Sequence, residues 1–550
     1  MLLWISLVSA HAAPAQAAKP RLIVVLAVDQ LRSDYLTRFE HLFLPPRQKN
    51  GTVGGLRYLM EQGAYYKNAQ FDHAQMVTGV GHATMLTGAY PHLHGLVGNS
   101  WYDRAREKEI NVVFDEKSPL VGSPKKGSED GRSPRNMLVT TVGDEMKNAW
   151  GGKSLVVGVS LKDRSAILMA GHRADLALWI EKDSIKFVTS TYYAKDSKLP
   201  EWVERWNKTD HIAKKSPKVW NKLLPENDYW LSTPMPPETV VFTKGLTKSF
   251  PHPITDANTF TFSPFANEYT LDAALETIQQ MKLGADTVPD LLGVSLSSFD
   301  AIGHNFGFMS AEMQDATIRL DRQVSDFLNT LAKQVPGGLK SIAIVLTGDH
   351  GCPPNHSIAE RLNLPGGPYW EGPITEKANE FLRKKFGFSS SEKPIISFSE
   401  AQLNLDEKLI EKRGKDLNQI ARELARWMRE QSFVAAAYAK IDLLEGQLPP
   451  TTLARRMALS THATRSGDVV IAARPGYAQL PDGTNIGVAH ETPFVQEASV
   501  PLILAGPWFK TGKYFDDVKI NDLAPSLSLV LGIIPPSGSE GQALLKALQP

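Results

Sequence analysis

Four short apolar runs with no polar alternate constrain this chain more than any other feature: Leu22 to Val28, Leu155 to Leu161, Leu291 to Leu296 and Ile342 to Leu346. A strand with one wet face alternates apolar and polar side chains. These do not, so both of their faces must be covered, as in a parallel sheet packed under helices. Helical patterns lie between them, at Leu271 to Met281 and Ala311 to Leu331. The expected fold is therefore α/β, with a mostly parallel central sheet flanked by helices. The later runs Val469 to Ala473 and Val500 to Leu504, then the helical stretch Asp522 to Leu531, are expected to close that same sheet.

Between about residues 185 and 264 neither period is sustained, while Trp202, Trp206, Trp220 and Trp230 fall among lysines and prolines. This segment reads as a large insertion, a cap over the site edge of the core or a solvated excursion. The domain plan is then one catalytic domain over residues 18–550 carrying that insertion, preceded by a signal peptide over residues 1–17.

The signal reading rests on the apolar run Leu2 to Ala10, followed by small-x-small sites that suit cleavage after Ala12 or Ala17. No Lys or Arg precedes the run, which departs from the usual pattern. His11, Pro14 and Gln16 interrupt it, so it falls short of the roughly 20 apolar residues that span a bilayer. A periplasmic or secreted location without stable membrane insertion follows as an expectation. The 60 basic and 59 acidic side chains of this 550-residue chain leave a formal charge of +1, which offers no footprint for a specific nucleic acid partner. A single cysteine, Cys352, excludes an internal disulfide. It could serve as a nucleophile, or it could be a packed residue of a Gly-Cys-Pro-Pro turn.

In an open parallel sheet, ligands bind beyond the carboxyl ends of the strands. The residues that stop or follow the four runs are Asp29, Lys162, Asp300 and Asp349; His304 follows Asp300 by four residues, His350 follows Asp349 directly, and His490 lies in a late loop. An isolated Asp after a strand is commonly a helix cap, and an isolated His is commonly structural. Three carboxylates and three histidines on one edge form a set of the kind that binds zinc, because without a cation they would repel or stay unpaired.

The segment Met76-Val77-Thr78-Gly79-Val80-Gly81-His82-Ala83-Thr84-Met85-Leu86-Thr87-Gly88, with Pro91-His92-Leu93-His94-Gly95 and Asn99 after it, resembles the alkaline phosphatase superfamily. More narrowly, it resembles the bacterial phosphate-irrepressible enzymes that use threonine as nucleophile. The resemblance runs from about Arg21 to the Asn521 to Gly541 tail and implies an alkaline phosphatase-like fold. It also implies two zinc ions per chain, the first held by Asp300, His304 and His490, and the second by Asp29, Asp349, His350 and Thr78. Two such ions about 4 Å apart can clamp the attacking and leaving oxygens of an in-line displacement.

By the same resemblance Thr78 is the nucleophile, Asn99 donates its amide to a phosphoryl oxygen, and Lys162 and Arg164 bind the charged oxygens of a monoester. Related phosphodiesterases generally lack that cation pair. Each assignment has an alternative reading. Thr78 could be the N-cap of a helix expected from Gly81 to Leu86, with Thr84 and Thr87 as rival hydroxyls that would bond back to carbonyls. Lys-x-Arg after a strand is otherwise a solvated charge pair, although in an extended segment both side chains would point the same way. Relatives commonly read His-Gly-Ser-Pro where this chain has His490-Glu491-Thr492-Pro493, and His462 lies in a family-like stretch as a structural residue.

The expected activity is zinc-dependent hydrolysis of small-molecule phosphate monoesters through a phosphothreonine, releasing inorganic phosphate. A phosphodiesterase or nucleotide pyrophosphatase on the same metals is the enzymatic alternative. A periplasmic zinc- or phosphate-binding protein without turnover is the alternative of another class. Nothing in the sequence fixes an oligomeric state, and a monomer is the expectation.

Overall fold

The computed structural model describes residues 18–123, 131–181, 184–233, 244–480 and 487–549. The signal-peptide reading of residues 1–17 falls outside them. All four apolar runs are strands of one ten-stranded sheet. Its order is Gly512–Lys519, Ala64–Gln70, Leu502–Ala505, Ile342–Gly348, Leu22–Val28, Asp290–Leu296, Val156–Ser160, Leu176–Glu181, Lys186–Ser190 and Leu120–Val121. The central pairs are parallel. Leu502–Ala505 runs antiparallel to both of its neighbours, so the sheet is mixed.

The absence of alternation in these runs has the expected cause. Leu22, Val24, Leu26 and Val28 enter one core while Ile23, Val25 and Ala27 enter the other, and every one of them is buried. The first core is completed by the helices Phe265–Met281 and Ala311–Gln334, the second by Thr78–Thr87 and Leu523–Leu531. The described part of residues 185–264 joins the first core through Trp202, Trp220 and Phe260, and Trp220 Nε1 donates to buried Asp315 across 2.7 Å.

Val469–Ala473 does not close the main sheet as expected. It lies in a separate four-stranded sheet beside Gln402–Leu405 and Val434–Ala439, antiparallel to both. Its run of five buried residues reports burial on both faces but carries no information about which sheet supplies its partners. This smaller sheet shares its own core with the helices Glu371–Phe386 and Leu417–Met428.

Register places the chemistry. Val28 is level with both Leu296 and Gly348, and Ser160 is level with Ser295. Adjacent parallel strands therefore release Asp29, the Ser298–Phe306 helix, Asp349 and Lys162 at one height on one edge. No helix among the described residues is long and apolar enough to cross a membrane.

Candidate metal and phosphoryl-transfer site

Asp29, Asp300, Asp349, His304, His350 and His490 converge on that edge. Asp300, His304 and His490 bring one ligand atom each within 4.8 Å of one another, as do Asp29, Asp300 and His350. The histidines are aimed by their backs. His304 Nδ1 donates to Val488 O at 2.5 Å, His350 Nδ1 to Gly351 O at 3.0 Å and His490 Nδ1 to Met76 O at 2.6 Å. A carbonyl can only accept, so each Nδ1 carries a proton and each Nε2 is turned toward the carboxylates, His304 Nε2 lying 3.2 Å from Asp300 Oδ1.

Three aspartates against the single ammonium of Lys162 leave a formal excess of two negative charges in a buried place. Burial, with the Asp349 charge adding to it, pushes Asp29 well above the usual carboxylate range. Burial acts on Asp300 in the same direction, but His304 and Lys162 outweigh it and hold Asp300 well below that range. His490 is driven well below the ordinary imidazole value by burial and by the neighbouring His350 and His304. Asp29 Oδ1, Asp349 Oδ2 and His350 Nε2 are buried without a hydrogen-bond partner. Orphaned oxygens and an unprotonated imidazole nitrogen in one negative cluster fit divalent zinc well.

Thr78 is the first residue of the helix Thr78–Thr87, which begins earlier than expected. The N-cap is Val77, in extended conformation and without a side-chain cap, so Thr78 is not the cap. Of its rivals, Thr87 bonds back to Ala83 O as expected, whereas Thr84 meets His94 Nε2 at 3.3 Å instead of a carbonyl. Gly81 allows the helix to lie against the strand end: a Cβ there would come within 2.3 Å of Asp349 O.

Lys162 Nζ lies 2.7 Å from Asp29 Oδ2, 2.6 Å from Asp300 Oδ2 and 3.3 Å from Thr78 Oγ1. The Lys-x-Arg segment is not extended. Lys162 occupies the N-cap position of the helix Asp163–Ala170, without a side-chain cap, and Arg164 lies in its first turn, because the strand has already ended at Ser160. Arg164 Nε is buried and has no hydrogen-bond partner. Asn99 Oδ1 accepts from Gly79 N at 2.9 Å, which fixes its amide with Nδ2 as the free end. Lys162, Arg164, Asp300 and His304 border a cleft of about 650 Å³ that is also lined by Trp179 and Phe262.

Three contributors were not legible in the sequence. Gln30 bridges two aspartates, its N–H to Asp349 Oδ1 at 2.9 Å and its Nε2 to Asp300 Oδ1 at 2.7 Å. His82 donates Nδ1–H to Thr78 O at 2.8 Å and lies 3.2 Å from Asp349 Oδ2; its spacing of four from Thr78 on one helix was the only available signal. Glu497 accepts the N–H groups of Glu491 and Thr492 at 2.7 and 2.6 Å, pinning the loop of His490. Glu491 has φ 129°, a backbone suited to glycine. Cys352 is buried, and burial pushes its thiol far above the ordinary value, which removes it as a nucleophile.

The family described as type I phosphodiesterase / nucleotide pyrophosphatase matches residues 23–485. The chain is 32% identical to alkaline phosphatase PafA of Elizabethkingia meningoseptica over 543 residues, covering 96% of this chain and 95% of PafA. It is 32% identical to alkaline phosphatase PhoV of Synechococcus elongatus over 547 residues, covering 98% of this chain and 94% of PhoV. The crystal structure of wild-type PafA superposes with a TM-score of 0.89 at 31% identity, covering 98% of this chain and all of that one.

Proposed function

Because this chain belongs to the type I phosphodiesterase / nucleotide pyrophosphatase family of the alkaline phosphatase superfamily, we propose that its site hydrolyses phosphate monoesters with Thr78 as nucleophile. The protein is a phosphoric monoester hydrolase, like the alkaline phosphatases it matches along nearly its whole length. The observation that carries the monoester reading is the Lys162 ammonium, 3.3 Å from the Thr78 hydroxyl, with the free Nε of Arg164 on the same cleft.

Two zinc ions are assigned to Asp300, His304 and His490 and to Asp29, Asp349, His350 and Thr78, where they would lower the hydroxyl pKa and hold the charge of the leaving oxygen. The remaining work belongs to side chains. Thr78 Oγ1 attacks phosphorus, the ester P–O bond breaks, and the leaving alkoxide takes a proton to depart as the alcohol. Water then cleaves the phosphothreonine, regenerating Thr78 and releasing inorganic phosphate, with inversion at each displacement. Lys162, Arg164 and the Nδ2 amide of Asn99 hold the three non-bridging oxygens, whose charge is greater in a monoester than in a diester. Catalysis of this kind is positioning and electrostatics around a loose transition state.

The diester reading has the family description in its favour and is decided by turnover of both ester classes. Stoichiometric release of inorganic phosphate and alcohol from a monoester tests the primary reading, and binding without release would return the protein to the class of phosphate-binding proteins. Export to the periplasm or medium belongs to the same reading and rests on the apolar run Leu2 to Ala10.

A further inference from the structure

The smaller sheet reaches the phosphoryl-binding residues at one hairpin tip. The strands Ile395–Ser399 and Gln402–Leu405 are joined by Glu400 and Ala401, with Ser399 paired to Gln402. Both turn residues are left-handed, at φ 50° and 59°. That is the backbone of a two-residue hairpin turn that Asn and Gly usually supply, and it is disfavoured for Glu and Ala. The tip is nonetheless tied down from three sides. Gln75 Nε2 donates to Glu400 O at 2.8 Å, Ile471 N to Ala401 O at 3.0 Å and Gln402 Nε2 to Val97 O at 2.9 Å.

These ties press the Glu400 side chain onto Gly98, where a Cβ would lie 3.1 Å from Oε2 and 3.2 Å from Glu400 Cβ. The carboxylate lies near the backbone N–H groups of Asn99 and Ser100 and within electrostatic reach of the Arg164 guanidinium, with Glu109 and Glu491 as the opposing charges, and Glu400 Oε2, like Arg164 Nε, is buried without a hydrogen-bond partner. Asn99 is thus approached from two directions: its side-chain oxygen accepts from Gly79 N on the Thr78 helix, and its backbone faces the hairpin.

We propose that Glu400 is a positioning residue for phosphoryl binding, its carboxylate fixing the backbone at Asn99 and steering the guanidinium of Arg164. The proposal rests on the reading that Asn99 and Arg164 bind the phosphoryl group, and it gives the smaller sheet a part in that site. Burial pushes the Glu400 carboxyl up to about 7, against the pull of the Asn99 N–H and Arg164. The Arg164 charge favours the ionised form of Glu400, and the burial works against it.

The test is steady-state hydrolysis of a monoester and a diester by the zinc-loaded wild type, Glu400→Gln, Glu400→Ala, Arg164→Ala and the Glu400→Ala/Arg164→Ala double variant. Zinc content and melting temperature are measured on each. Glu400→Ala is expected to lower monoester kcat/KM about 10-fold and to change the diester value less than about 2-fold; its effect should shrink to about 2-fold in the Arg164→Ala background, as for two coupled groups. Glu400→Gln keeps an acceptor for the backbone and should fall between Glu400→Ala and wild type, which also covers a poorly folding alanine variant. Equal losses on both esters, or an undiminished loss in the Arg164→Ala background, would overturn the proposal while leaving the role of Arg164 intact. Monoester turnover unchanged in Arg164→Ala would instead remove the reading on which the proposal rests.

Discussion

His490 Nδ1 donates to the carbonyl of Met76 across 2.6 Å, so the last histidine of the site is held by the loop that ends two residues later at Thr78. The contact joins the far end of the chain to the start of the Thr78 helix and leaves His490 Nε2 facing Asp300 at 3.7 Å. A ligand set assembled from such distant segments stabilises the native state when it binds a cation, because the unfolded chain does not present it.

Elemental analysis should therefore find two zinc ions per chain. Chelation should abolish hydrolysis and lower the melting temperature, with zinc restoring both. At a free zinc concentration about 1,000 times the dissociation constant, each site contributes roughly 4 kcal/mol. Full activity after verified removal of the metal would rule the assignment out.

Thr78→Ala should eliminate phosphoryl transfer while leaving the melting temperature of the zinc-loaded protein within a few degrees of wild type; Thr78→Ser should retain a measurable fraction. Acid quench during turnover should trap a phosphorylated peptide containing Thr78. The label on Ser100, Thr84 or Thr87 would refute the assignment.

Gly81→Ala tests whether the Thr78 helix must lie against the Asp349 strand end. A Cβ there would meet Asp349 O at 2.3 Å, so either the helix or the Asp349 loop must shift. Zinc affinity and kcat should both fall, by about 10-fold or more, since a displacement of about 1 Å at such a site can cost about 100-fold. Unchanged zinc affinity and turnover would show that the helix is not held in place by this approach.

Much of this arrangement could be read from the sequence, and the part that could not has a physical reason. Asp29, Asp300 and Asp349 were legible because each stops or follows a buried apolar run, and the level register of parallel strands brings such residues together. Gln30, His82 and Glu497 were not, since each acts by orienting another side chain across contacts that no local pattern encodes. Val469–Ala473 was assigned to the wrong sheet because burial on two faces names no partner. Lys162 and Arg164 would share a side if their segment were extended; they lie instead at a helix start, which still leaves both on the cleft.

Away from the site, Asp290 offers a pH test. It is buried and accepts the N–H groups of Leu155 and Gly284 at 2.7 and 2.8 Å, and burial pushes its carboxyl up to about 6. A carboxyl raised above its unfolded value of about 3.9 contributes stability that is fully present below that value and lost as pH rises through 6. The stability difference between wild type and Asp290→Asn, from urea unfolding at matched zinc, should therefore shift against wild type by about 1–2 kcal/mol between pH 4.5 and pH 7.5. A difference independent of pH would show that Asp290 does not titrate in this window.

The central claim is that Lys162 and Arg164 turn a two-metal centre into a monoesterase. The most direct measurement is kcat/KM for one monoester and one diester, by a single zinc-loaded preparation of wild type and of Lys162→Ala/Arg164→Ala. Each lost charge-assisted contact is expected to cost roughly 2–4 kcal/mol, or about 30-fold to 1,000-fold, on the monoester and far less on the diester. The account predicts a wild-type preference for the monoester that narrows sharply in the double variant; a wild-type preference for the diester, or an equal fall in both activities, would contradict it.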